Sequence, residues 1–149
     1  MNIAEVQTDK KRYLPLLLLG DEDEQMLGRY LARGVLLVGF SEGKPVAVCV
    51  YTDEGGGVWE VQNLAVSPRL QRRGLGREML AAVEARCKAA GGHTLRLGTG
   101  DSRLTLPFYR ACGFYAVGRE PGYFPKHYPH PIYEGGEQLL DRVILEKRL

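Results

Sequence analysis

The residues best placed to do chemistry form one short run, Gln71-Arg72-Arg73-Gly74-Leu75-Gly76-Arg77. Gly74 and Gly76 let a ligand approach the main chain, and the three arginines of the run add positive potential. Val58 to Val66, just before it, is rich in apolar and β-branched residues and reads as a strand. Just after it, Leu75, Met79, Leu80, Val83 and Cys87 recur at helical spacing as far as Gly91-Gly92. The run is therefore a glycine-containing turn from a strand into a helix N-terminus. Such a turn presents unpaired amides and the positive end of a helix dipole, the makings of a pyrophosphate cradle. A solvated basic helix start would use the same residue types. A dinucleotide fingerprint is incomplete, because Met79 stands where its third glycine belongs, and the Lys-Ser/Thr ending of a P-loop is absent.

The elements that must position this turn follow from periodicity. Ile3 to Val6 reads as a short strand, and Lys10 to Leu19 as a helix that tolerates Pro15 only near its first turn. Asp21 and Glu24 have capping-box spacing and predict a second helix through Met26, Leu27, Tyr30 and Leu31 to Gly34. Val35 to Phe40 and Pro45 to Thr52 form a hairpin around Ser41-Glu42-Gly43-Lys44. Within Val58 to Val66, Trp59 and Val61 have one parity and Leu64 and Val66 the other. A change of apolar parity inside a strand predicts one extra residue, a β-bulge near Gln62-Asn63, which would splay the strand and leave backbone groups for an extended ligand. Further on, Thr94 to Leu97 is a strand, and Asp101 or Ser102 caps a helix carrying Leu106, Tyr109 and Arg110 that closes at Gly113. Phe114 to Val117 resumes as a strand, Tyr123 to Tyr133 is an irregular excursion rich in Pro, aromatic residues and His, and Arg142 to Leu149 is the last strand. Strands and helices interleave, so the fold class is mixed α/β.

Composition bounds the rest. The 149 residues fit a single domain, 1–149, of ordinary globular balance, with 44% hydrophobic and 26% charged residues. The net charge of +2 is too small to argue for nucleic acid, and the acidic runs Asp21 to Glu24 and Glu134 to Glu137 weigh against it. Cys49, Cys87 and Cys112 are odd in number and lack metal-ligand spacing, which suits reduced thiols in a cytoplasmic protein without a metal. The N-terminal residues lack signal-peptide character, and Leu16 to Leu19 is far too short to span a membrane. Edge strands and the C-terminal excursion make a homodimer an expectation.

Gln71-Arg72-Arg73-Gly74-Leu75-Gly76 resembles the Q/R-x-x-G-x-G/A acetyl-CoA motif of the GNAT N-acetyltransferase superfamily, and Leu64-Ala65-Val66-Ser67-Pro68 leads into it as in that family. Tyr109-Arg110-Ala111-Cys112-Gly113-Phe114 resembles the family's Y-x-x-x-G-F signature, one strand-helix-strand unit later. Phe124-Pro125-Lys126-His127-Tyr128, followed by Pro131-Ile132-Tyr133-Glu134-Gly135-Gly136, is similar to a segment of a bacterial subgroup. The resemblance implies a GNAT acyltransferase fold with a bulged, splayed central strand, and acetyl transfer from acetyl-CoA directly to a primary amine of a small molecule. Within the same fold, a protein or peptide N-acetyltransferase and a non-catalytic CoA-binding sensor are the alternatives.

The resemblance also assigns roles. Leu64, Ala65 and Val66 lie along the cofactor, with the amide N–H of Leu64 or Val66 the candidate oxyanion donor. Gln71, Arg72, Arg73, Gly74, Leu75, Gly76 and Arg77 hold the pyrophosphate. Tyr109 matches the general acid, a phenol (pKa about 10) that protonates the departing thiolate and also lies at the cofactor. Glu60, four residues before Leu64, stands where the histone-acetylating branch keeps its catalytic glutamate and is the candidate base. The family often has Asn early in the tyrosine-bearing helix. Here Asp101 and Ser102 occupy that region, so Ser102 is expected toward the cofactor and Asp101 away from it. His127, Tyr128 and Glu134 are candidate contacts to the amine substrate.

Overall fold

Apolar runs punctuated by turn residues fold, in the computed structural model of residues 1–149, into two units: residues 1–93 with Leu149, and residues 94–148. The first unit runs β1 (Asn2–Val6), a 3-10 turn (Lys10–Tyr13), α1 (Leu14–Gly20), α2 (Glu24–Gly28), β2 (Val35–Ser41), β3 (Lys44–Asp53), β4 (Val58–Val66) and α3 (Leu75–Ala89). Its strands pair in sequence order, each antiparallel to the next. Alternation along β3 sorts the two faces. Val48 and Val50 pack with Leu17 of α1 and with Leu27, Tyr30 and Leu31 in and just after α2. Cys49 and Tyr51 instead meet Cys87 of α3, whose buried face is Met79, Leu80, Val83 and Cys87. Each fully buried leucine in these layers contributes about 1.5–3 kcal/mol through its removal from water.

The expected helix over 21–34 is a single short turn, Glu24–Gly28, and its cap is Asp23, whose carboxylate accepts from Gln25 N at 2.8 Å. Asp21 has the same side chain but is engaged elsewhere, accepting from the Tyr30 hydroxyl at 3.2 Å. The stretch beyond the helix leaves carbonyls that Lys10 covers: its ammonium donates to Leu31 O at 2.9 Å and to Gly34 O at 2.6 Å. The helix expected over 10–19 is likewise divided into the 3-10 turn and α1, with Pro15 in the first turn of α1, where a missing N–H costs nothing.

The second unit runs β5 (Thr94–Gly100), α4 (Thr105–Ala111), β6 (Tyr115–Glu120), the one-turn α5 (Tyr123–His127), a hairpin of β7 (Tyr133–Glu134) and β8 (Glu137–Gln138), and β9 (Arg142–Arg148). β9 pairs antiparallel with both β5 and β6. Leu95, Leu97, Phe114, Val143 and Leu145 are buried in this unit. Two glycines of β5 make room for neighbours: the Arg142 side chain crosses over Gly98, and Leu139 lies against Gly100. The stretch 123–133, expected to be irregular, contains α5. Mixed helices and strands with mostly antiparallel pairing make this an α/β fold. No helix is long and apolar enough to cross a membrane.

Candidate active site

The turn that enters α3 is held in an uncommon backbone conformation. Pro68–Leu70 forms a 3-10 turn closed by Leu70 N to Ser67 O at 2.9 Å, and the Gln71 amide donates back to Val66 O at 3.2 Å. Arg72 then takes φ 64°, a left-handed value rare for a branched or long side chain, and Gly74 takes φ 80° as the helix N-cap. A β-carbon on Gly74 would meet no atom within 4 Å, so the glycine is required by its backbone angle and the space above it is open. Glu78 N is the first amide to bond back along the helix, to Gly74 O at 3.0 Å. The amides of Leu75 and Gly76 precede it and belong to the set that a helix N-terminus offers to an outside acceptor. Arg72, Arg73 and Arg77 are exposed around them. Helix N-terminal amides, positive charge and the open space at Gly74 fit a pyrophosphate.

β4 leads into this turn and carries a slip in its register. Val50 of β3 lies opposite Asn63, but the next residue, Tyr51, lies opposite Val61, so Gln62 has no residue across from it. The slip sorts side chains. Trp59, Val61, Leu64 and Val66 lie opposite Asp53, Tyr51, Cys49 and Ala47 and so share the α3 face. Glu60, Asn63 and Ala65 lie opposite Thr52, Val50 and Val48 and so share the α1–α2 face. All three residues of the α1–α2 face are buried, Glu60 at 9% and Asn63 at 3% exposed, and on the α3 face Val61 is buried as well.

The α1–α2 face of β4 is polar, and its hydrogen bonds form two groups. Gln62 Nε2 donates to Glu60 Oε2 at 2.9 Å and to Thr52 Oγ1 at 3.1 Å. Thr52 Oγ1 donates to Glu54 Oε2 at 2.7 Å, and Arg33 reaches the same carboxylate oxygen at 3.0 Å. Asn63 Nδ2 donates to Leu17 O at 2.9 Å and to the Tyr30 hydroxyl at 3.2 Å, and that hydroxyl donates to Asp21. Burial, and then the Asp21 carboxylate, push the Tyr30 phenol far above its ordinary range, so it stays a neutral donor. Gln62, Thr52, Asn63, Tyr30 and Asp21 were not singled out in the sequence as site residues. The signal available for two of them was the pair of consecutive amides, Gln62-Asn63, inside an apolar strand.

In the second unit Tyr109 is half-buried on α4, with its ring 5.1 Å from Phe108 and 5.8 Å from Phe114, both edge-on. Thr105, one turn earlier on the same helix face, has its hydroxyl 3.3 Å from that of Thr99 and 3.5 Å from Glu134 Oε2. Thus Glu134 sits beside the face of α4 that bears Tyr109. Ser102 is 2% exposed and its hydroxyl oxygen accepts from Leu104 N at 2.9 Å, so this side chain closes the turn before α4. Asp101 lies 3.5 Å from the Arg119 guanidinium. The helix begins at Thr105 rather than directly after a cap at 101 or 102, which leaves Pro107 in its first turn. His127 stacks on Tyr123 at 4.1 Å and hydrogen-bonds the Tyr123 carbonyl through Nδ1 at 2.9 Å, while Arg142 lies over the Tyr123 ring at 4.9 Å. Tyr128 stacks on Phe124 at 5.6 Å. His127 and Glu134 therefore hold different partners.

Comparison with known proteins gives the chain a family. Residues 5–114 match the acetyltransferase (GNAT) family. An uncharacterized N-acetyltransferase of Bacillus subtilis, YvbK, is 31% identical over 131 residues, which span 87% of this chain and 84% of that protein. An IAA acetyltransferase structure from Bacillus cereus is 31% identical and superposes with a TM-score of 0.93 over 99% of both chains. A GNAT family acetyltransferase from Elizabethkingia anophelis, with acetyl-CoA bound, is 27% identical with a TM-score of 0.94, covering 99% of this chain and 97% of that one. The chain belongs to the acetyltransferase (GNAT) family.

Proposed function

We propose that this protein transfers an acetyl group from acetyl-CoA directly to a primary amine of a small molecule. The observation that carries the reading is the entry to α3, where left-handed Arg72 and Gly74 precede the first helical amides, those of Leu75 and Gly76, beside open space at Gly74 and among exposed arginines. In this reading those amides, with Arg72, Arg73 and Arg77, hold the pyrophosphate of CoA. Acetyl-CoA supplies an activated acyl group whose thioester carbon an uncharged amine can attack.

The protein's residues supply the remaining tasks. Glu60 takes a proton from the ammonium form of the acceptor, so that the nitrogen lone pair becomes available. The amide N–H of Leu64 or Val66 donates to the thioester oxygen as charge builds there. The nitrogen attacks the thioester carbon and gives its surplus proton to solvent, and as the C–S bond breaks Tyr109 passes its phenolic proton to the departing sulfur and recovers one from solvent. Tyr109 is half-buried, with its ring edge-on to Phe108 and Phe114, and this packing supports the role.

Titration calorimetry with acetyl-CoA tests the reading, with Gly76→Glu as the companion variant. Micromolar binding by the wild-type chain, lost when a carboxylate enters the turn, is the expected result. Folded wild-type protein that does not bind acetyl-CoA overturns the proposal.

A further inference from the structure

The register slip in β4 places an amide where the proposed base needs one. Gln62 has no residue opposite it on β3, so its side chain is not matched to a cross-strand neighbour and reaches the Thr52–Glu60 pair instead. A side-chain amide nitrogen carries two hydrogens, and both are used: one on Glu60 Oε2, one on Thr52 Oγ1. Thr52 in turn spends its hydroxyl hydrogen on Glu54, so its oxygen is an acceptor toward Gln62. Arg33 holds the far end of the chain at Glu54. The direction of every bond is thereby fixed. Reversing the amide would set its oxygen against the Glu60 carboxylate. Thr52 is 1% exposed and Glu60 9% exposed, so water competes little for these bonds.

We infer that Gln62 is the positioning residue for Glu60, holding one carboxylate oxygen so that the group keeps a single orientation toward the acceptor amine. The inference rests on the reading of Glu60 as the base. The remaining links, Thr52, Glu54 and Arg33, are joined to Glu60 by way of Gln62. A carboxylate anchored at one oxygen retains the aim that proton abstraction requires, and loss of that aim is costly even when the carboxylate itself is intact.

The test is Gln62→Met in the full chain, a change that keeps the length and bulk of the side chain and removes its donors. Thiol release is followed with spermidine, tyramine and 2-phenylethylamine as probe amines, across a pH range. The expected result is a fall in kcat of about tenfold, with KM for acetyl-CoA unchanged and the acidic limb of the pH–rate profile moved to higher pH. Thr52→Val should act in the same direction, and the double variant should be no slower than Gln62→Met alone. An acceptor-independent readout accompanies the kinetics. In protein labelled with 13C-glutamate, the Glu60 carboxyl resonance, assigned through Glu60→Gln, should be displaced in Gln62→Met relative to the wild type, as the carboxylate loses its amide partner.

The outcomes separate the two readings. Glu60→Gln that slows turnover, beside Gln62→Met with wild-type kcat and an unmoved Glu60 carboxyl resonance, overturns the positioning role alone. Glu60→Gln that turns over at the wild-type rate overturns both. An unmoved Glu60 carboxyl resonance in Gln62→Met overturns the inference whether or not a probe amine reacts. Should Gln62→Met fail to fold, Thr52→Val carries the same comparisons.

Discussion

Gly20 lies so close beneath the Asn63 side chain that a β-carbon on residue 20 would overlap Asn63 Oδ1. Asn63 cannot easily retreat, because its amide nitrogen is tied to Leu17 O and to the Tyr30 hydroxyl in a buried setting. The same Oδ1 has no hydrogen-bond partner, so this amide is held by its donors and by shape. Gly20→Ala should therefore destabilise the fold by about 2 kcal/mol, the scale of overpacking in a filled interior. Thermal unfolding would measure it, and Asn63→Ser should recover part of the loss in the double variant while costing stability alone. Equal losses with and without Asn63 would show that the clash is not what makes residue 20 a glycine.

Tyr109→Phe removes only the phenolic oxygen and keeps the ring packing against Phe108 and Phe114. In the proposed reaction the departing sulfur then lacks its proton donor. We expect kcat to fall by about 10²-fold, with acetyl-CoA affinity by calorimetry within a factor of about two. A variant with full turnover would remove Tyr109 from the chemistry.

Asp141 carries a pH dependence that can be read independently of activity. The Gly122 N–H, and then the Arg119 guanidinium, hold its carboxyl below the ordinary value of 3.8. The folded state thus binds the proton less well than the unfolded chain. The contribution is complete above the unfolded value and is lost as pH falls through the folded one. Melting temperatures of the wild type and Asp141→Asn should differ at neutral pH and converge as the pH falls below 3.8. A gap that stays constant down to strongly acidic pH would assign the effect to shape.

The thiols give a test of packing. Burial pushes Cys49 far up and Cys87 up to about 12, with the nearby Asp53 and Glu84 carboxylates adding to the effect on Cys87. Cys112 is buried as well. At pH 8 a disulfide reagent should label none of the three cysteines of the native protein on the timescale of minutes and all of them in denaturant. Fast native labelling at Cys49 or Cys87 would mean that the sheet opens against α3.

Much of this arrangement is written locally. The spacing of Met79, Leu80, Val83 and Cys87 identifies the buried face of α3, and Gly74 announces the turn that precedes it, because both depend on neighbours within one or two turns. The parity change along β4 coincides with the slip between Val61 and Asn63. Elsewhere the deciding partners are distant in sequence. Asp21, Asp23 and Glu24 all resemble caps, and only the packing of Tyr30 onto Asp21 leaves Asp23 to serve as one. Asn63 meets Leu17 across 46 positions, a pairing no periodicity encodes. The sequence sets Ser102 toward a ligand and does not signal the bond its hydroxyl oxygen accepts from Leu104 N, which depends on how the turn before α4 closes.

The slip in β4 also decides which change of length that strand can absorb. Val61 and Asn63 already face successive residues of β3, so removing Gln62 would let the two strands align without interruption and leave every other pair in place. Trp59 and Val61 would keep the α3 face and Glu60 the face of α1 and α2. Closing the slip with the chain at full length would do the opposite: everything before Gln62 would move by one position, turning Trp59 and Val61 toward α1 and α2 and Glu60 toward α3. The extra residue is therefore a side chain added to the strand without cost to the faces on either side of it, and a chain lacking residue 62 should still fold with the same buried set while losing the amide beside Glu60.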